Sequence, residues 1–196
     1  PEGAGASFGS ADDLFVMRIQ QDGFVPWNMV CLGAAQASIP RALVHDEARS
    51  RLYLGLTVRA SITVPIDGGL ELKPANGDPS DGAVYVIDPA LSASAPVTEL
   101  LTFRSAGADT VDAIAAAGDG TFFVAGSYRG AELKLNGAAL LSGDPDGKEE
   151  AFVARVNRAG VVSWVQRFGG PGAQRAHALV RAAGALYLAG TLEAPG

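Results

Sequence analysis

Cysteine is nearly missing from this chain, with Cys31 the one example in 196 residues. A single thiol excludes an intrachain disulfide framework, and a domain of this length needs none to build a core. Histidine occurs twice, at His45 and His177, which excludes a histidine-rich metal centre. Charged residues make up 18% of the chain, below the roughly 25% of an average domain. No apolar run is long enough to cross a bilayer as a helix. The phosphate-binding loop, the dinucleotide glycine pattern, the Cys-x-x-Cys pair and the N-glycosylation sequon are all missing too. No signal peptide opens the chain, which starts on Pro1 rather than Met. Processing, or excision from a longer protein, is the expected reason.

What is present is glycine (25) and proline (11), the punctuation of many short strands. Net charge is −6 and the pI about 4.8. That balance argues against nucleic acid and anionic membranes as partners, because it repels phosphate instead of releasing its counterions.

The dominant signal is self-similarity. "SADDLFVMRIQQDGFVPWNMVCLG" (Ser10 to Gly33) returns as "GKEEAFVARVNRAGVVSWVQRFGG" (Gly147 to Gly170), without a gap. Phe15 aligns with Phe152, Arg18 with Arg155, Gly23 with Gly160 and Trp27 with Trp164. A third copy, Gly82 to Ser105, keeps Tyr85, Ile87 and Phe103 but lacks the Gly and the Trp. A second segment also recurs, as "PRALVHDEARSRLYLGLT", "VDAIAAAGDGTFFVAGS" and "AHALVRAAGALYLAGT". Each of these reads as a strand, a turn, and a strand carrying Tyr53, Phe123 or Tyr187. The repeating unit therefore has four strands, and a period near 64 to 70 residues. This is longer than the roughly 40–50 of common propeller blades. The surplus lies between strands two and three, where an added hairpin is expected, and Asn136–Gly137 supplies a type I′ turn signal. Sustained helical periodicity is lacking, and "DTVDAIAAAGDG" comes nearest to it.

The expected fold is all-β, with β-propeller blades of four antiparallel strands. The predicted divisions are a half blade at 10–33, blades at 39–103 and 110–168, and a half blade at 175–192. Alanines 42, 113, 115, 176 and 178 are expected on the innermost strands, where space is tight, with the aromatics further out. The phase, late strands first and early strands last, is that of a propeller whose ring closes by pairing its two ends. About three blades are present, fewer than the usual minimum of four. The chain is thus expected to be part of a longer propeller, or to form a homodimer with a six-bladed ring.

The pattern Asp/Glu-x-Phe-Val-x-Arg, then Gly-x-Val-x-Trp, Phe-Gly-Gly-x-Gly and Tyr-Leu-Ala-Gly-Thr runs through Glu150–Thr191. It resembles the bacterial β-propeller repeats labelled SBBP. Asp13–Thr57 follows it more loosely, with Cys31–Leu32 in place of Phe–Gly, and the middle repeat has Ala83 for the acid. The resemblance covers nearly the whole chain. It implies a propeller and an extracellular or cell-surface bacterial setting, and it implies no activity.

Several residues invite chemical readings. Arg41, Asp112 and His177 align just before the innermost alanines, so they point towards a central channel or its mouth. With Asp109 they form the predicted ligand-binding set; the bland alternative is that they satisfy one another or the local backbone. Ser7 in "GASFG" matches a nucleophile elbow, but it leads into a strand instead of a helix, which favours a simple turn. Asp144, Asp146 and Glu149 offer partial calcium ligands without completing a binding-loop spacing, so an Asp-Pro turn is the preferred reading. Arg18 and Arg155 are expected to lie along apolar neighbours with their heads near Asp13 or Glu150. Trp27, Trp164 and Cys31 are expected to pack between blades.

The function expected is non-enzymatic: an exported module for ligand binding, adhesion or scaffolding, with no metal and no cofactor. Its ligand would be a glycan or a protein, met by loops 34–38, 105–109 and 171–175 or by the inserted hairpins. The alternatives are a polysaccharide hydrolase or lyase using Asp109 and Asp112 at the channel mouth, and a purely structural spacer.

Overall fold

The computed structural model describes residues 14–23, 27–31, 38–64, 70–74, 79–90 and 97–194. Ser7, Asp13 and most of loop 34–38 lie outside that set, as do the side chains of Trp27 and Cys31. All described elements are strands, and all their pairings are antiparallel. The chain is all-β. The alanine-rich run that came nearest to helical spacing is a strand, Thr110–Ala116.

Two four-stranded meanders form the body. The first consists of β3 (Ile39–Asp46), β4 (Arg51–Val58), β7 (Asp81–Ile87) and β8 (Val97–Arg104), paired in that order. The second repeats the plan with β9 (Thr110–Ala116), β10 (Phe122–Arg129), β13 (Glu149–Val156) and β14 (Val162–Phe168). A two-stranded sheet stands at either end of the chain. At the start β1 (Leu14–Arg18) pairs with β2 (Trp27–Cys31), and at the finish β15 (Gln174–Ala182) pairs with β16 (Ala185–Leu192).

Two hairpins fill the expected insertions, β5 (Ile62–Val64) with β6 (Leu70–Leu72), and β11 (Glu132–Leu135) with β12 (Ala138–Ser142). Asn136 and Gly137 turn the second one with φ of 49° and 85°, the two left-handed positions that a type I′ turn demands. This hairpin does not extend its own sheet. Lys134 and Leu135 pair with Arg104 and Phe103 on β8, so β11–β12 forms the outer edge of the preceding sheet. Asn136 fixes the junction, its N–H donating to the Thr102 carbonyl and its Oδ1 accepting from the Thr102 N–H at 2.8 Å.

Strands buried on both faces read as continuous apolar runs, and every residue of β7 is buried. Between the two meanders Tyr53 stacks on Phe122 at 4.1 Å, and Phe103 on Phe152 at 5.3 Å. On the far side of the first sheet, Leu14 and Val16 of β1 pack with Leu54, Leu56, Ala83 and Tyr85. On the far side of the second, Ala113, Ala125, Ala151 and Val153 receive Ala176, Leu179, Leu186 and Leu188. The small side chains allow that close approach. Within the second sheet, a Cβ added to Gly126 would run into the Thr110 carbonyl of the neighbouring strand.

Trp164 is only partly covered, 41% exposed, with its indole 5.8 Å from the Phe123 ring. The guanidinium of Arg155 lies over the Phe123 ring, 5.8 Å from its centre, and reaches Asp119 at 3.4 Å instead of Glu150. Glu150 is buried and already accepts from the Tyr128 hydroxyl and the Asp144 N–H, with Arg167 3.5 Å away.

Candidate functional site

One irregularity recurs in all three first strands. Pro40 and Ala42 face Leu56 and Gly55, so Arg41 is an extra residue in β3. Val111 and Ala113 face Gly126 and Ala125, which leaves Asp112 extra in β9. Ala176 and Ala178 face Gly190 and Ala189, which leaves His177 extra in β15. Each is a β-bulge at the same repeat position, and a bulge re-aims the side chain it adds. The three re-aimed side chains line one cleft of about 410 Å³.

Within this cleft Arg41 Nε lies 3.6 Å from Asp112 Oδ1, and the Thr110 hydroxyl donates to Asp112 Oδ2. Burial raises the Asp112 carboxyl above the ordinary range, while the Thr110 hydrogen bond and the charges of Arg41 and His177 pull it back. His177 Nε2 is 3.1 Å from the Thr191 hydroxyl. Glu149 holds two guanidinium groups, with Arg175 Nε at 2.8 Å and Arg129 at 3.0 Å. The carboxylates sit low in the cleft, and the guanidinium heads are about half exposed above them. Arg59 adds a fourth guanidinium to the lining. Thr57 also lines the cleft, and its buried hydroxyl has no hydrogen-bond partner.

Asp109 does not line it. This side chain is fully buried, accepts from the Ser105 N–H, and closes loop 105–109 from beneath. Burial pushes its carboxyl up to about 7; the Ser105 hydrogen bonds oppose that shift and the nearby Asp81 adds to it. It is a loop brace with no face open to a ligand. Asp144 accepts the Asp146 N–H in a local turn, and Glu149 is committed to arginines. Among the described residues no three metal-ligating side chains gather.

The one-residue alignment of Arg41, Asp112 and His177 is the part of the cleft that the repeat pattern announces. Thr57, Arg59 and Arg129 were not singled out, although the repeats carry a signal for them: Thr57, Ser127 and Thr191 share one repeat position, and Arg59 and Arg129 share another. Arg129 also lies directly opposite Glu149 on neighbouring strands. No protein-family model matches the chain, and no curated protein matches it.

Proposed function

We propose that the chain is a β-propeller module of the SBBP kind, exported to a bacterial surface, which binds an acidic glycan without turning it over. The four-stranded meanders, stacked face to face with their first strands adjacent, support the propeller reading. The resemblance of the repeats supports the family and its setting.

The observation that carries the binding function is the charge of the bulge cleft. Four arginines and a histidine meet two carboxylates there, in a protein whose net charge is −6. Each guanidinium has five donors in a planar fork, and the acids beneath occupy only some of them. The guanidinium donors that remain suit a carboxylate, which two parallel N–H groups can hold at once.

One observation favours a hydrolase instead: Asp112 is a raised carboxyl with the charge of Glu149 close enough to act on it. Against it, Glu149 is neutralised by two arginines and does not offer a free base.

Calorimetric titration with oligogalacturonate, and with a neutral oligosaccharide of equal length, tests the function. Binding of the acid alone, weakened tenfold or more by Arg41→Gln with Arg59→Gln, is the expected result. Equal binding of both sugars, or of neither, overturns it. Release of shorter sugars would establish the hydrolase.

A further inference from the structure

The two sheets contribute unequal charge to the bulge cleft. In the second sheet Arg129 stands opposite Glu149, which holds it at 3.0 Å and takes Arg175 at 2.8 Å as well. The first sheet pairs Thr57 with Gly82 and Val58 with Asp81, as the second pairs Ser127 with Ala151 and Tyr128 with Glu150. One step further along that register, Arg59 holds the place of Arg129, and Ser80 holds the place of Glu149. The counter-ion has become a neutral residue, whose hydroxyl donates to the Asp109 carbonyl at 3.2 Å. Arg41 has Asp112 at 3.6 Å. Among the described residues, Arg59 is thus the one arginine of the cleft without a carboxylate at ion-pair distance.

A second partner is missing at the same spot. Of the three hydroxyls that share a repeat position, Ser127 accepts the Ala176 N–H at 3.3 Å, and Thr191 lies 3.1 Å from His177 Nε2. Thr57 is 1% exposed, and its hydroxyl has no partner. A buried hydroxyl left unpaired destabilises the fold. This one belongs to a side chain that lines the cleft two residues from Arg59.

We infer that the cleft holds one carboxylate, seated on Arg59 and on the Thr57 hydroxyl, which turns about χ1 to donate to it. The inference deepens the glycan reading and rests on it. Any second carboxylate would lie against Asp112 or Glu149, whose like charge opposes it. The ligand class that follows is a glycan whose uronates are spaced by neutral sugars.

Ser80→Glu restores the acid that the second sheet carries. It should close the seat and weaken digalacturonate tenfold or more in calorimetric titration. Thr57→Val removes the unpaired hydroxyl. Without ligand it should raise Tm, yet it should weaken binding threefold or more, a pair of effects that a purely structural threonine would not give. A disaccharide of one uronate and one neutral hexose should bind within threefold of digalacturonate. Binding unchanged by either substitution, or digalacturonate tenfold tighter than the mixed disaccharide, overturns the seat. The unaltered protein supplies a reading that needs no sugar. Sodium acetate, against sodium chloride at equal ionic strength, should shift the Nε–Hε resonance of Arg59 before those of Arg129 and Arg175. If it does so while neither disaccharide binds, the glycan reading falls and the seat stands. If the sugars bind and acetate moves Arg129 or Arg175 first, the seat alone falls. No response to acetate or to sugar overturns both.

Discussion

The hydroxyl of Ser105 lies 2.5 Å from Oδ1 of Asp109, and 2.5 Å from the carbonyl oxygen of Arg129. A hydroxyl has one hydrogen and a carbonyl can only accept, so when Ser105 donates to Arg129 its contact with Asp109 needs a proton on the carboxyl. Burial supplies the reason for that proton to stay, holding Asp109 at about 7. The folded state therefore binds the proton more tightly than the unfolded chain, whose Asp titrates near 3.9. This contribution to stability is fully present below about pH 4, declines as the pH rises to about 7, and is gone above. Unfolding free energies from urea titrations across that window should fall, by roughly 4 kcal/mol for the full shift. Asp109→Asn keeps a donor facing Ser105 and should flatten the profile.

Ala183 and Gly184 turn the last hairpin with φ of 49° and 78°. Alanine pays for a left-handed backbone where asparagine does so far less. Ala183→Asn should stabilise the fold by about 0.5 to 1 kcal/mol, read as a rise in Tm. A drop in Tm would show that this turn tolerates alanine for another reason.

Gly126 and Gly147 predict unequal costs. At Gly126 a Cβ meets the Thr110 carbonyl at the bulge, and rigid backbone has nowhere to move. Gly126→Ala should cost on the order of 3 kcal/mol, as overpacking does. At Gly147 the space is open and only the φ of 72° is unfavourable, so Gly147→Ala should cost about 1 kcal/mol. Chemical denaturation of the two variants side by side checks the order.

Phe122 lies at the centre of the contact between the two meanders, against Tyr53. Phe122→Ala should destabilise by roughly 3 to 5 kcal/mol, from lost burial and the cavity left behind. Phe122→Leu, which is what the repeat carries at Leu186, should cost much less. Equal losses for both would mean that the stacked geometry, and not the volume, holds the sheets.

The strands, their antiparallel order and the Asn136–Gly137 turn were legible because each depends on a local pattern. Alternating or continuous apolar runs, Gly-bearing turns and a constant offset between copies are enough to place them. Arg41, Asp112 and His177 were legible for the same reason, since a bulge repeats with its sheet. Asp109 misled, because sequence cannot distinguish a carboxylate facing solvent from one closing a loop beneath the surface. Arg155 choosing Asp119 over Glu150 was equally hidden. The choice depends on Tyr128 and Arg167 already occupying Glu150, which are contacts between segments that no local pattern records. Nor does anything in Glu132–Ser142 state that its hairpin attaches to β8.

That attachment carries a mechanical consequence. The hairpin leaves β10 but is hydrogen-bonded to the edge of the neighbouring sheet, so it works as a clasp across the gap between them. Prising the second meander from the first must tear this clasp in addition to parting two greasy surfaces. The pair should therefore melt as one cooperative block.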